Sequence, residues 1–101
     1  MARTVHYHAL FDCDVREAAL WYDQRSAGLG ETFVENVRTA VMDITADPHR
    51  FGRFQDACRY LRLRRFPYVV LFKMIEDEVF MVGVLHVARS SDNWRERLQD
   101  T

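Results

Sequence analysis

Two stretches of almost unbroken hydrophobicity, Tyr68 to Ile75 and Val79 to Val87, are separated only by Glu76, Asp77 and Glu78. Strands that are apolar on both faces must be covered on both faces, and an acidic tip this short folds them back on each other. The pair is therefore expected to form the central hairpin of a sheet. The remainder of the chain has to supply the edges and covers of that hairpin.

Arg59 to Phe66, RYLRLRRF, alternates: Leu61 and Leu63 fall on one face, Tyr60, Arg62 and Arg64 on the other. This predicts a third antiparallel strand, with leucines toward the core and arginines toward solvent. Thr4 to His8 alternates as well, with Val5 and Tyr7 set against Thr4, His6 and His8, which predicts a short first strand with one covered face.

The covers read as helices. Val15, Ala18, Ala19 and Tyr22 recur at helical spacing behind Asp12 or Asp14, either of which suits an N-cap, and Gly28 suits the stop. Phe33, Val37, Ala40, Val41 and Ile44 form a second stripe, with Glu31, Glu35, Arg38 and Asp43 on the other side and Pro48 as its limit. The Gly28-Leu29-Gly30 joint is brief enough to fold the two into an antiparallel hairpin with Trp21 and Tyr22 in its core. Arg50 to Asp56, broken by Gly52, reads as a loop. Ser91 or Asp92 then caps a last turn through Trp94, Arg97 and Leu98.

The expected order is β-α-α-β-β-β with a short C-terminal helix. This is an α+β fold, a small antiparallel sheet packed on an N-terminal helical hairpin, in one domain over residues 1–101. A chain of 101 residues has no room for a second core, and 49% hydrophobic content is ample for one. No internal repeat is visible. The longest apolar runs are 7 residues, far below the ~20 that cross a bilayer as a helix. The opening MARTVHYH lacks the zones of a secretory signal, so a cytoplasmic protein is expected. Cys13 and Cys58 show no C-x-x-C spacing and read as reduced structural thiols.

Charge is distributed very unevenly. Arg50, Arg53, Arg59, Arg62, Arg64 and Arg65 fall between residues 50 and 66 against Asp56 alone, although the whole chain carries −1. Coulomb attraction acts within a Debye length of ~8 Å, so such a band attracts phosphates or acidic protein surfaces locally. The acidic remainder opposes indiscriminate nucleic-acid binding. A shaped protein or ribonucleoprotein target fits better.

RNA cleavage through a 2′-hydroxyl needs cations for the phosphorane and a group that moves protons. Arg62, Arg64 and Arg89 supply the cations and His86 the acid or base. The alternative for His86 is a buried structural histidine, on one face with Phe80, Val82 and Val84 unless a bulge intervenes. Arg62 and Arg64 have their own alternatives, solubilising the open face or pairing with the acidic helices. Adjacency to Tyr60 and proximity to Arg89 favour a binding surface. Trp94 joins that surface or pins the terminal segment to the sheet. His6 and His8 share a strand face without a third ligand nearby, which reads as a solvated pair and not a metal site. No serine–histidine–acid set, phosphate loop or carboxylate pair has credible spacing, and no cofactor is expected.

Ala18-x-x-Trp21-Tyr22, Leu29-Gly30 with Phe33, Pro48, Phe66-Pro67-Tyr68 and His86 with Arg89, taken in this order along a β-α-α-β-β-β chain, resemble the RelE/ParE toxins of bacterial toxin–antitoxin systems over nearly the whole length. The resemblance implies a small sheet cradled by a helical hairpin and a cognate antitoxin that wraps the toxin. It also implies growth inhibition and a role such as plasmid stabilisation. Members resembling RelE cut messenger RNA in the ribosomal A site, whereas those resembling ParE poison DNA gyrase and lack the nuclease set. This chain has a single lysine, Lys73, and ends WRERLQDT, without the lysines and C-terminal tyrosine or histidine of a RelE-like nuclease. The favoured expectation is gyrase inhibition by binding, through Tyr60, Arg62, Arg64, Arg89 and Trp94. The alternatives are a ribosome-dependent messenger RNA endonuclease using Arg62, Arg64, His86 and Arg89, and an inactive antitoxin-binding module. Either a homodimer or a toxin–antitoxin hetero-oligomer is compatible with it.

Overall fold

The central hairpin forms as its hydrophobicity demands. In a computed structural model that describes residues 3–53, 57–88 and 93–99, β3 (Tyr68–Ile75) pairs antiparallel with β4 (Glu78–His86), from Tyr68 opposite His86 to Ile75 opposite Glu78. The tip closes over Glu76 and Asp77, with Glu76 at φ 57°. β2 (Cys58–Arg62) adds antiparallel to β3, while β1 (Val5–Tyr7) adds to β4 in parallel, Val5 opposite Val79. The sheet order is β1-β4-β3-β2. The three later strands are the antiparallel meander the sequence predicts. The parallel edge makes the sheet mixed, which a chain allows only where a long crossover returns it in the same sense. Here α1 (Phe11–Arg25) and α2 (Leu29–Ala46) provide that crossover.

Both helices bury their stripes against one sheet face. Phe33, Val37, Ala40 and Ile44 of α2 and Phe11 and Ala18 of α1 pack with Val70, Phe72, Val79, Met81 and Val84. Four rings form the centre of this layer. Phe33 lies 5.1 Å from Phe66 and 5.0 Å from Tyr68, and Tyr22 lies 4.8 Å from Phe66, centroid to centroid. Tyr22 is thus core, as expected. Trp21 is not: it is 38% exposed, with the Arg25 guanidinium 3.3 Å above its ring, because one step along a helix turns a side chain about 100° off the buried face.

The helix ends differ from the reading above. Helix α1 begins at Phe11 with Leu10 as N-cap, and neither Asp12 nor Asp14 caps it. Instead Leu10 N–H donates to His8 Nδ1 at 3.0 Å. Helix α1 ends at Arg25, ahead of Gly28, which sits at φ 88° as the N-cap of α2, a conformation a side chain would strain. Helix α2 stops at Ala46 before the buried Pro48, which opens a short 3-10 turn, Pro48–Arg50.

At Gly30 the two helices touch. Its N–H donates to Asp23 Oδ1 at 2.8 Å, and an added Cβ would press on the backbone carbonyl of Ala19. Gly30→Ala is expected to cost roughly 1–3 kcal/mol, since backbone rather than a side-chain tip must yield. Chemical denaturation measures it, and an unchanged midpoint would contradict this contact.

The second sheet face carries a smaller cluster of Cys58, Leu71, Val82 and Trp94, with Val69, Leu85 and Leu98 at its edge. Helix α3 (Asn93–Gln99) lies over it, with Trp94 only 6% exposed. Trp94 therefore pins the terminal helix to the sheet. The Ser91 and Asp92 caps fall outside the described residues, as does Arg89. Cys13 is exposed and Cys58 buried, both as free thiols.

Candidate functional site

Along β2, Tyr60 stands opposite Leu71 and Arg62 opposite Val69, so these side chains share the face that the helical hairpin does not cover. Helix α3 covers only part of that face. A groove of about 470 Å³ remains between Tyr60 and Arg62 on one side and Trp94 on the other, floored by Val69, Leu71 and Leu85. Arg53 and His86 also line it. Arg53 is held there by a bridge to Arg59, by Tyr60 N–H donating to Gly52 O at 3.1 Å, and by the Arg59 guanidinium donating to Phe51 O at 2.7 Å.

The arginines do not form one surface. The strand ends at Arg62 and not at Phe66, because Leu63 N–H folds back onto Tyr68 O at 2.9 Å and starts the turn into β3. Alternation is lost at that point. Leu63 stays buried, but Arg64 lines a separate groove of about 250 Å³ beside α2, with Asn36, Thr39, Asp43 and Arg50. Arg62 borders both grooves. The side chains of Arg62 and Arg64 are exposed and have no hydrogen-bond or ion-pair partner among the described residues, so their charge is open to a ligand. The prediction that Tyr60, Arg62 and Arg64 line one face therefore holds for the first two alone.

A bulge decides the place of His86. Leu71 stands opposite Gly83 but Phe72 opposite Met81, so Val82 is an extra residue that shifts the phase of β4. Val82 faces α3, whereas Val84 and Met81 face the helical hairpin. His86 therefore shares a face with Val84 and not with Val82 or Phe80. It is half-buried at the strand end, its Nδ1 accepting Ala88 N–H at 3.0 Å and its ring edge-on to Tyr68 at 5.0 Å. It reaches both the β2–α3 groove and a second groove with Asp14, Glu17, Trp21 and Tyr68.

Sequence inspection missed the bidentate ion pair that ties the two ends of the chain together. Asp14 accepts a bidentate pair from Arg97, Nη2 to Oδ1 at 2.7 Å and Nη1 to Oδ2, together with Val84 N–H at 3.0 Å. Donation of these hydrogen bonds to Asp14 holds the Arg97 guanidinium above its ordinary pKa against the opposing effect of burial. This carboxylate fastens α1, β4 and α3 together and has little capacity left for chemistry. The two residues stand 83 positions apart, so no local pattern could have found them. Lys73 is likewise committed, its Nζ donating to Leu98 O at 3.0 Å.

The other polar candidates are structural. His6 Nε2 meets Glu78 Oε1 at 2.9 Å with its ring stacked on Phe80 at 4.5 Å, so it does not converge with His8. Among the described residues no three His, Cys, Asp or Glu side chains are placed to hold a metal ion. Cys13 is exposed, but its hydrogen bond to Glu17 raises its pKa and disfavours the thiolate a nucleophile needs. No described helix is long and apolar enough to cross a membrane.

A four-stranded sheet with a helical hairpin on one face and a short terminal helix on the other is the architecture of RelE/ParE superfamily toxins. The model of the ParE toxin of the type II toxin–antitoxin system parDE matches residues 5–94, and the chain belongs to that family. Among solved structures it is similar to the chromosomal ParDE toxin–antitoxin system from P. aeruginosa. The TM-score there is 0.77 at 16% identity, over 85% of this chain and 97% of that one. It is also similar to a double arginine-to-alanine mutant of E. coli toxin RelE in the free state. That TM-score is 0.61 at 17% identity, over 99% of this chain and 98% of that one. No curated protein matches it in sequence. At these identities the structural likeness speaks for the fold; the family model is what makes the chain a toxin of a type II toxin–antitoxin system.

Proposed function

We propose that this toxin inhibits DNA gyrase by binding it, and that a cognate antitoxin neutralises it by covering the open sheet face, the groove of the helical hairpin, or both. The observation that carries this reading is the exposed Arg53–Tyr60–Arg62 side of the β2–α3 groove, whose guanidinium charge no carboxylate among the described residues pairs. Arginine and tyrosine are both enriched at interface anchors. The hairpin offers a second place for an antitoxin element, a groove of about 400 Å³ lined by Phe11, Val15, Val34 and Val41. An amphipathic helix laid in such a groove is a common recognition mode. The proposed location is the cytoplasm, where gyrase acts.

Replacing both Arg53 and Arg62, the two arginines that border the β2–α3 groove, with Ala is expected to abolish growth arrest and to weaken inhibition of supercoiling by at least about tenfold, the scale of losing two interface arginines. Stability should change by no more than about 0.5 kcal/mol, because both side chains are exposed and have no partner among the described residues. Toxicity that survives the double substitution removes this surface from the proposal.

One observation favours a second reading: Arg62 and His86 border the same groove, which brings together a cation and a proton-transfer group suited to ribosome-dependent cleavage of messenger RNA. Purified protein separates the two. Codon-positioned cuts in ribosome-bound messenger support the nuclease; loss of supercoiling with DNA breaks supports gyrase. Neither effect, together with tight antitoxin binding, identifies an inactive module.

A further inference from the structure

The β2–α3 groove combines two linings that one ligand chemistry satisfies together. Arg53 and Arg62 border it, exposed and with no hydrogen-bond or ion-pair partner for their side chains among the described residues. Its floor is aliphatic, made by Val69, Leu71 and Leu85, and Tyr60, 39% exposed, forms a wall. A volume of about 470 Å³ accommodates one or two side chains and not a folded element. Guanidinium groups around such a floor select carboxylates beside an apolar anchor, since each feature alone would be better served by solvent or by a bare core.

A single-stranded nucleic acid fits less well. It needs successive aromatic platforms along a cationic track. Here the one tryptophan of the groove is packed down at 6% exposure, the single lysine is tied to Leu98 O, and the whole chain is net negative. We infer that the groove seats an acidic segment of a protein partner, with one apolar side chain on the Val69–Leu71–Leu85 floor and flanking carboxylates on Arg53 and Arg62. This rests on the reading of the open face as the functional surface and gives the chemistry of what that surface holds.

The test is a titration of the ¹⁵N-labelled full chain with an end-capped decapeptide of glutamates around one central phenylalanine, read by amide chemical shifts. The expected result is saturable shifts at Tyr60, Arg62, Leu71 and Leu85. Exchanging the phenylalanine for alanine, or the glutamates for lysines, should weaken binding by about tenfold or more. Arg62→Glu or Arg53→Glu should do the same. Arg16→Glu, the same charge change on the outer side of α1 where Arg16 meets Asp12, should alter affinity by less than about twofold.

Four results overturn the inference: no saturable shift, shifts confined to the α1–α2 groove, equal weakening by all three charge reversals, or tighter binding of a hexauridylate than of the peptide. Supercoiling inhibition by the same preparation keeps this apart from the proposed function. Peptide binding without gyrase inhibition retains the groove chemistry and removes the gyrase target; gyrase inhibition without peptide binding overturns the groove chemistry alone.

Discussion

Phe33→Ala is expected to remove about 3–5 kcal/mol of stability, the range for deleting a fully buried phenylalanine from a packed core. Phe33 is 0% exposed and touches three other rings, Tyr22, Phe66 and Tyr68, which come from α1, from the turn before β3 and from β3 itself. The cavity would open where every layer meets, and none of the three rings can collapse into it without leaving another partner. Against a typical domain stability of ~5–15 kcal/mol, the loss leaves a marginal protein. At roughly 4–8 °C per kcal/mol for a domain near this size, the melting temperature should fall by well over ten degrees. Thermal unfolding followed by circular dichroism measures it. A fall of only a few degrees would show that these rings are not the centre of the core.

Asp14→Ala should be a severely damaging change to a polar residue, at about 3 kcal/mol, the lower end for breaking a buried ion pair, because this pair is partly buried. The side chains of Asp14 and Arg97 are 12% and 14% exposed, so water compensates the guanidinium left behind only in part, and Val84 N–H loses its acceptor as well. The pair can approach so closely because Gly83 presents no side chain: a Cβ there would meet the Arg97 guanidinium and stand 2.9 Å from Asp14 Oδ2. The damage should be local at first. Helix α3 is held by this clasp, by Lys73 and by Trp94, so hydrogen exchange should accelerate in residues 93–99 ahead of β3 and β4. Replacing Arg97 with Met in the same chain should restore part of the loss, because the orphaned charge is then gone. No recovery would mean that the carboxylate acts through Val84 N–H alone.

Most of the motifs that carry the family resemblance prove to be packing motifs. Ala18 and Tyr22, Gly30 with Phe33, Pro48, and Phe66 with Tyr68 all lie in or against the layer between hairpin and sheet. That is why the fold was legible along with the family: burial imposes a period of two on strands and about 3.6 on helices, and both can be read from the order of residues. It is also why these motifs leave the target open: among their described residues only His86 reaches the β2–α3 groove.

The differences between sequence and structure fall where periodicity stops. Unbroken alternation puts Arg64 with Tyr60 and Arg62, but the alternation ends at the turn after Arg62. Unbroken alternation also puts His86 with Phe80 and Val82, and the bulge at Val82 moves it to the other face. Asp14 fitted an N-cap by residue type, but in the fold its carboxylate answers a partner 83 positions away.

Residue order by itself determined the strands, the two helical stripes, the antiparallel hairpin they form and the existence of a basic band, because hydrophobic burial and local charge are properties of neighbours along the chain. Only the tertiary structure decided which arginines share a groove, which strand edge runs parallel and which carboxylate is consumed by the frame. Those outcomes depend on turns, a one-residue bulge and a contact across the whole chain, and such long-range geometry leaves no periodic trace in a single sequence.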